Sequence, residues 1–243
     1  NDGNMDYKYI EINKNGHSSP INDISFYVPN NEIKYSGNGI LNTNIQMITI
    51  SNVDKKMIIW SMNGEIKHSI DLKDIDSLPN RILTIPALMN IDNSNNIYPY
   101  GIIGANNIIV YDCDIKMTRK IGSFSGHGNT IQYIKISDSN RYLISAGNDE
   151  YLKLWNMKRL IKKSRKKGSN NLVKAPMFQV SMNDTINCVD IIKSNDNEYL
   201  FAGSTKSMIK IYSINKTDKT SNITHVCSVN IKTNSDDINV RNN

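Results

Sequence analysis

The chain has 243 residues, 39% hydrophobic and 21% charged, a balance that suits one substantial folded core and excludes an intrinsically disordered chain. Its formal net charge is +6, but the excess is local: residues 158–174, KRLIKKSRKKGSNNLVK, hold eight positive and no negative charges, so the remainder is near-neutral. No apolar run approaches the roughly 20 residues of a membrane-spanning helix, and the cysteines Cys113, Cys188 and Cys227 form no CxxC pair, which argues against a disulfide framework or a zinc site and for free thiols in a reducing compartment, cytoplasmic or nuclear.

In chain order, the sequence opens on Asn1 with no leader-like segment, so it reads as a processed or cropped chain. Residues 6–12, DYKYIEI, read as a strand. Gly16-His17 opens a new unit, which is lengthened by an insertion at about 28–44. That unit closes on VDKKMIIWSMNGEIKHSI, with Asp54 six residues before Trp60. GIIGANNIIVYDCD closes the next unit, with Tyr111-Asp112 where the first has Trp60-Ser61. Residues 126–156, GHGNTIQYIKISDSNRYLISAGNDEYLKLWN, are the clearest unit. They hold a Gly-His pair, strands near 130–137 and 142–147, a turn ending at Asp149, and a strand closing on Trp155-Asn156. The basic stretch follows. A fourth unit opens with NDTINCV at 183–189 and ends on EYLFAGSTKSMIKIYSIN, with Lys206 at the turn position and Tyr212-Ser213 at the close. The tail SDDINV at 235–240 is similar to that opening. The glycosylation-type triplets at Asn183, Asn215 and Asn222 carry little weight in so Asn-rich a chain.

Short β-rich runs separated by Asn, Asp, Ser and Gly turns, without helical periodicity, indicate a sandwich, barrel or propeller. The closing aromatics at 60, 111, 155 and 212 recur in steps of 51, 44 and 57, close to a repeat period of roughly 40–45 residues. With these landmarks the chain resembles the WD40-repeat β-propeller family. The resemblance implies an all-β fold of about four complete four-stranded blades, at about 16–72, 73–125, 126–182 and 183–233. Residues 1–15 would supply the outer strand of a preceding blade and 234–243 the start of a next one, within a larger ring of seven blades by the family's commonest count. It also implies a hydrogen-bonded set in the third blade: His127, Ser145, Asp149 and Trp155. In the first blade it implies His17, Asp54 and Trp60, with Ile50 at the Ser/Thr position breaking the chain of bonds. The Tyr-ended blades would be held mainly by apolar packing.

His127, Ser145 and Asp149 are also the residue types of a hydrolase triad. The family's buried set accounts for them better, because Ser145 would lie inside a strand. No GxSxG elbow, Walker-type loop, HExxH or clustered His/Cys set accompanies them. The reading is therefore non-enzymatic, with no cofactor, no metal, no small-molecule ligand and no membrane insertion. The remaining feature is the basic segment, with Lys158, Arg159, Lys162, Lys163, Arg165, Lys166 and Lys167. By the repeat count it lies between the third and fourth strands of its blade and opens on the face opposite the Gly-His loops, as the 28–44 insertion should. Without interleaved aromatics it would meet phosphates or an acidic partner rather than stack on bases. The resemblance implies a protein–protein interaction scaffold that docks other proteins in a multiprotein complex. The alternatives are a nucleic-acid or ribonucleoprotein component, or a propeller beside an enzyme domain outside this segment. Val53 and Asn148, just before the turn aspartates, are where the family makes contacts.

Overall fold

Ile- and Val-rich runs of five to ten residues, bounded by polar turns, fold here as strands because branched side chains pack well on a pleated surface. The computed structural model describes residues 16–27, 35–36, 39–40, 45–75, 77–85, 100–113, 118–139, 141–157, 172–195, 197–216, 221–231 and 239–242. The first sheet joins β1 (Asp23–Tyr27), β4 (Gln46–Ser51), β5 (Lys56–Ser61) and β6 (Ile66–Asp71) in that order. A small pair, β2 (Tyr35–Ser36) and β3 (Gly39–Ile40), lies between β1 and β4 in sequence. The second sheet runs β7 (Arg81–Ile85), β8 (Tyr100–Gly104), β9 (Ile108–Cys113), β10 (Thr118–Phe124). The third holds β11 (Ile131–Ile136), β12 (Tyr142–Gly147), β13 (Tyr151–Asn156) and, as its outer strand, β15 (Phe178–Ser181). Between β13 and β15 in sequence lies β14 (Leu172–Val173). The fourth sheet runs β16 (Ile186–Ser194), β17 (Asn197–Ser204), β18 (Met208–Lys216), β19 (Ser221–Asn230), β20 (Asn239–Asn242).

The sheets stack face to face, and strand periodicity shows how. In β8, Ile103 packs with Ile48, Ile50, Met57 and Ile59 of the first sheet, while its neighbour Ile102 packs with Leu143 and Trp155 of the third. In β12, Leu143 faces the second sheet and Ile144 joins Leu200 and Tyr212 of the fourth. Successive side chains point to opposite faces, so a sheet covered on both sides must be apolar on both. β12 is accordingly buried along its whole length.

The first strands of the four sheets are neighbours around a common centre. Asp23 accepts the Ile82 N–H at 2.9 Å and Ser25 meets the Thr84 hydroxyl at 2.8 Å, joining β1 to β7. Asn80 donates to the Ile131 carbonyl at 3.1 Å, joining the second sheet to β11. Lys135 and Asp190 form an ion pair at 3.0 Å between β11 and β16. Strands ordered outward from a shared centre, in sheets stacked in sequence order, are successive blades of a β-propeller. β11 and β16 even share a bulge at matching positions, between Ile131 and Tyr133 and between Ile186 and Cys188.

Two segments depart from the sequence reading. Residues 239–242 do not open a further blade: they pair antiparallel with β19, Asn230 opposite Asn239. An outer strand presents unpaired backbone groups, and the nearest extended segment satisfies them. β14 likewise leaves its own blade and pairs in parallel with β10, Leu172 opposite Ser123. Val173 is buried there with Phe124 and Trp155, and its carbonyl accepts the Ser125 N–H at 3.0 Å. The strand expected at 6–12 lies outside the described residues, as do most of the 28–44 insertion and the basic residues Lys158, Arg159, Lys162, Lys163, Arg165, Lys166 and Lys167.

Candidate functional site

The third blade brings His127, Ser145, Asp149 and Trp155 together. The Asp149 carboxylate can only accept, so His127 Nδ1–H donates to it, at 2.9 Å. In the neutral ring Nε2 then accepts from the Ser145 hydroxyl at 2.6 Å, and Ser145 Oγ accepts the Trp155 indole N–H at 2.8 Å. Asp149 also accepts the Gly128 N–H at 3.0 Å. Lys153 Nζ stands 3.6 Å from its second oxygen and donates to the Gly126 carbonyl. Burial by itself would raise the Asp149 carboxyl; the hydrogen bonds from His127 and the Gly128 N–H, with the charge of Lys153, outweigh it and hold the group at about 2. Gly147 makes room for the set. A Cβ there would stand 2.9 Å from the Thr130 carbonyl oxygen, 3.1 Å from Asp149 and 3.2 Å from His127.

The first blade corrects the expectation that Ile50 interrupts the chain of bonds. Thr49 supplies the hydroxyl: it lies 2.9 Å from His17 Nε2 and accepts the Trp60 indole N–H at 2.7 Å. His17 Nδ1–H donates to Asp54 at 3.0 Å, and the Ser18 N–H at 3.1 Å repeats the Gly128 contact. The register explains the miss. Thr49 pairs with Ile58 as Ser145 pairs with Lys153, and each acid lies four residues before that partner. The turn of the first blade holds one more residue, so the hydroxyl sits five rather than four positions before its aspartate.

The other two blades make the same connection with different residues. In the fourth, Asp184 in the segment entering the blade accepts the Thr205 hydroxyl at 2.5 Å and the Lys206 N–H at 2.6 Å. The Thr205 bond comes first among the causes that lower its carboxyl to about 2. In the second, Ser77 accepts the Asn106 N–H at 2.9 Å. The Tyr-ended blades thus add a polar link to their apolar packing. No sequence pattern marks Ser77 or Asp184, because the acceptor has moved from the turn to the entering segment.

Chemically, Ser145 is a poor nucleophile here. It is fully buried, and its oxygen already accepts from Trp155. Among the described residues no group of three or more His, Cys, Asp or Glu could hold a metal ion, and no helix is long and apolar enough to cross a membrane. Cys188 and Cys227 are free thiols. What this end of the blades offers to solvent is the residue before each turn aspartate: Val53 is 69% exposed and Asn148 is exposed. The basic segment was expected to open on the opposite face. Its described flanks differ: Met157 continues directly from the far end of β13, whereas Lys174 returns beside Gly126, next to the His127 loop. The cause is the pairing of β14 with the edge of β10.

Four-stranded blades tied in this way define a repeat β-propeller. The WD40 family (WD domain, G-beta repeat) matches residues 118–156, from β10 through β13. Solved structures agree in fold. A crystal structure of an active polycomb repressive complex 2 in the basal state superposes with TM-score 0.56 at 14% identity, over 83% of this chain and 39% of that one. A humanized mutant of the Chaetomium thermophilum polycomb repressive complex 2, bound to an inhibitor, gives 0.58 at 15% identity, over 87% and 42%. The RRP9 WD40 repeats give 0.53 at 13% identity, over 87% and 52%. The chain thus spans about two-fifths to one-half of the solved chains it matches. Residues 118–156 thus match one WD40 repeat, and the chain shares the β-propeller fold of these structures, with no subfamily singled out.

Proposed function

We propose that this chain is a non-catalytic scaffold that docks other proteins within a multiprotein complex, in the cytoplasm or nucleus. The observation that carries the reading is the commitment of its chemistry-bearing residues. His17, Asp54, His127, Ser145, Asp149 and Asp184 are all bonded into links that hold blades together, while the exposed positions beside them vary from blade to blade. Two of the similar structures are of a multi-subunit complex, the polycomb repressive complex 2, which favours the same reading.

The basic segment supports a second reading, contact with nucleic acid. Its eight positive charges are unrelieved by any acid, and Met157 and Val173 at its two ends are buried in the blades. If Lys162, Lys163, Arg165, Lys166 and Lys167 engaged duplex phosphates, log K would fall with log salt at a slope of about −4.5. One experiment tests both readings: capture of partners from native lysate by the full-length protein, against a variant with the basic residues of 162–167 changed to Ser, with and without nuclease. A nuclease-resistant protein set common to both forms supports the scaffold. Loss of nuclease-sensitive partners in the variant supports the phosphate contact.

A further inference from the structure

A cavity of about 460 Å³ lies where the segment joining the third and fourth blades crosses the outer strands of the fourth. One wall is a cross-strand ladder on a single face of β18 and β19: Met208 opposite Asn230, Lys210 opposite Ser228, and Tyr212 opposite His225. The other wall is Met182 to Asp184, with Lys206 at the rim from the β17–β18 turn.

Its two lysines hold unspent donors. Lys206 is exposed, and its ammonium has no partner among the described residues. Among the described residues Lys210 makes only a long contact, 3.5 Å to the Ser181 carbonyl. His225 is held by an edge-on contact with the Tyr212 ring and by Ser228 Oγ at 2.9 Å, which leaves its other ring nitrogen open. Asp184 is the one acid among the described lining residues, and its oxygens already accept from the Thr205 hydroxyl, the Lys206 N–H and the Thr185 N–H. Two lysines against one engaged carboxylate leave the cavity electropositive and rich in donors.

We propose that this cavity receives an anionic side chain of a partner protein, best a phosphate monoester, with Lys206, Lys210 and one donor of the bonded His225–Ser228 pair (the ring N–H or the hydroxyl) as its donors. A tetrahedral phosphate offers enough acceptor oxygens for such a set, and charge-assisted bonds are the strong ones. The inference rests on the scaffold reading for the protein nature of the partner. Met182 and Met208 flank the charged groups of the cavity, which suits a side chain carried on a peptide with apolar neighbours rather than a polynucleotide.

The test is titration of the full chain with a fluorescent five-residue peptide, Gly-Gly-phosphoserine-Gly-Gly, beside its Glu and Ser counterparts and inorganic phosphate. The expected result is saturable binding in the order phosphoserine, Glu, Ser. Affinity for the phosphopeptide should fall at least about tenfold in Lys206→Gln/Lys210→Gln. Lys206→Gln alone, at an exposed position, should lose part of it with an unchanged melting temperature. The proposal is overturned if the phosphoserine and Ser peptides bind alike, if the double variant binds as wild type does, or if inorganic phosphate binds as tightly as the peptide. A partner set that survives the double variant in a pull-down would overturn the cavity's role and leave the scaffold standing.

Discussion

Replacing Thr49 by Val keeps the side-chain shape and removes one hydroxyl. That hydroxyl serves two buried partners, the Trp60 indole N–H at 2.7 Å and His17 Nε2 at 2.9 Å. Each orphaned buried partner costs about 1–3 kcal/mol. The two belong to one network and will not add fully, so the expected loss is about 2–4 kcal/mol. Thr49→Ser retains the oxygen and should lose much less. Ile50→Val, at the adjacent position, removes only a methyl group and should cost about 0.5–1.5 kcal/mol. The assay is hydrogen exchange of the indole N–H groups followed by NMR, backed by urea denaturation. The chain has two tryptophans, so the spectrum reports one proton per clamped blade. In Thr49→Val the Trp60 proton should exchange faster while the Trp155 proton stays protected. Equal protection of Trp60 in the Val and Ser variants, with equal urea midpoints, would refute the assignment of Thr49.

Gly147→Ala should destabilise the third blade by about 1–3 kcal/mol through overpacking, since the new Cβ would press on the Thr130 carbonyl at 2.9 Å; a thermal melt compared with a Gly-to-Ala change at Gly128, where the nearest atom is 3.8 Å away, isolates the effect. The Asp149 carboxyl is lowered from 3.8 to about 2 by folding, so its contribution is complete above its unfolded value and is lost as the pH falls from about 4 towards 2. Melting temperatures across that range should show the loss in wild type and a flatter response in Asp149→Asn. Asp184 titrates in the same window, so Asp184→Asn is the parallel control for the fourth blade. Glu198 is fully buried, and neither carboxylate oxygen finds a hydrogen-bond partner among the described residues. Glu198→Met should therefore raise the urea midpoint, by an amount equivalent to about 1–3 kcal/mol; a lowered midpoint would show that the carboxylate is stabilising.

The third blade was legible because every landmark keeps its spacing: Ser145 four residues before Asp149, and Trp155 six after it. The first blade was legible in its His, Asp and Trp but not in its hydroxyl. One extra turn residue displaces Thr49 in sequence without displacing it in the sheet, where it still faces Ile58. Register is a property of strand pairing, and counting residues across a turn of different length misplaces it by one, which in a strand is the opposite face. Ser77 and Asp184 were invisible for another reason. Short polar residues in connecting segments are common in this chain, and only the fold shows which of them reaches the facing turn. The edge strands β14 and β20 carry no local signal of their destination. They go where β10 and β19 leave an edge unpaired, which is decided by tertiary structure.

The recurrence of one link with exchanged parts bears on how such a divergent set of repeats remains a propeller. In the first and third blades an acid in the turn between the second and third strands holds the entering segment; in the second and fourth, Ser77 and Asp184 in the entering segment hold the turn. What each blade needs is that the chain arriving from its predecessor be fastened to its own central hairpin, because that fastening fixes how neighbouring sheets face each other. Either side of the contact can supply the acceptor. Loss of the His, hydroxyl and Trp at the Tyr-ended blades is therefore tolerated, and Met182, buried with Tyr212, shows apolar packing in the space beside the exchanged link. The same end of the blades then combines a fixed polar frame with exposed residues such as Val53 that bear no part of it. Substitution at those exposed positions leaves the frame intact, which is the property the proposed docking platform requires.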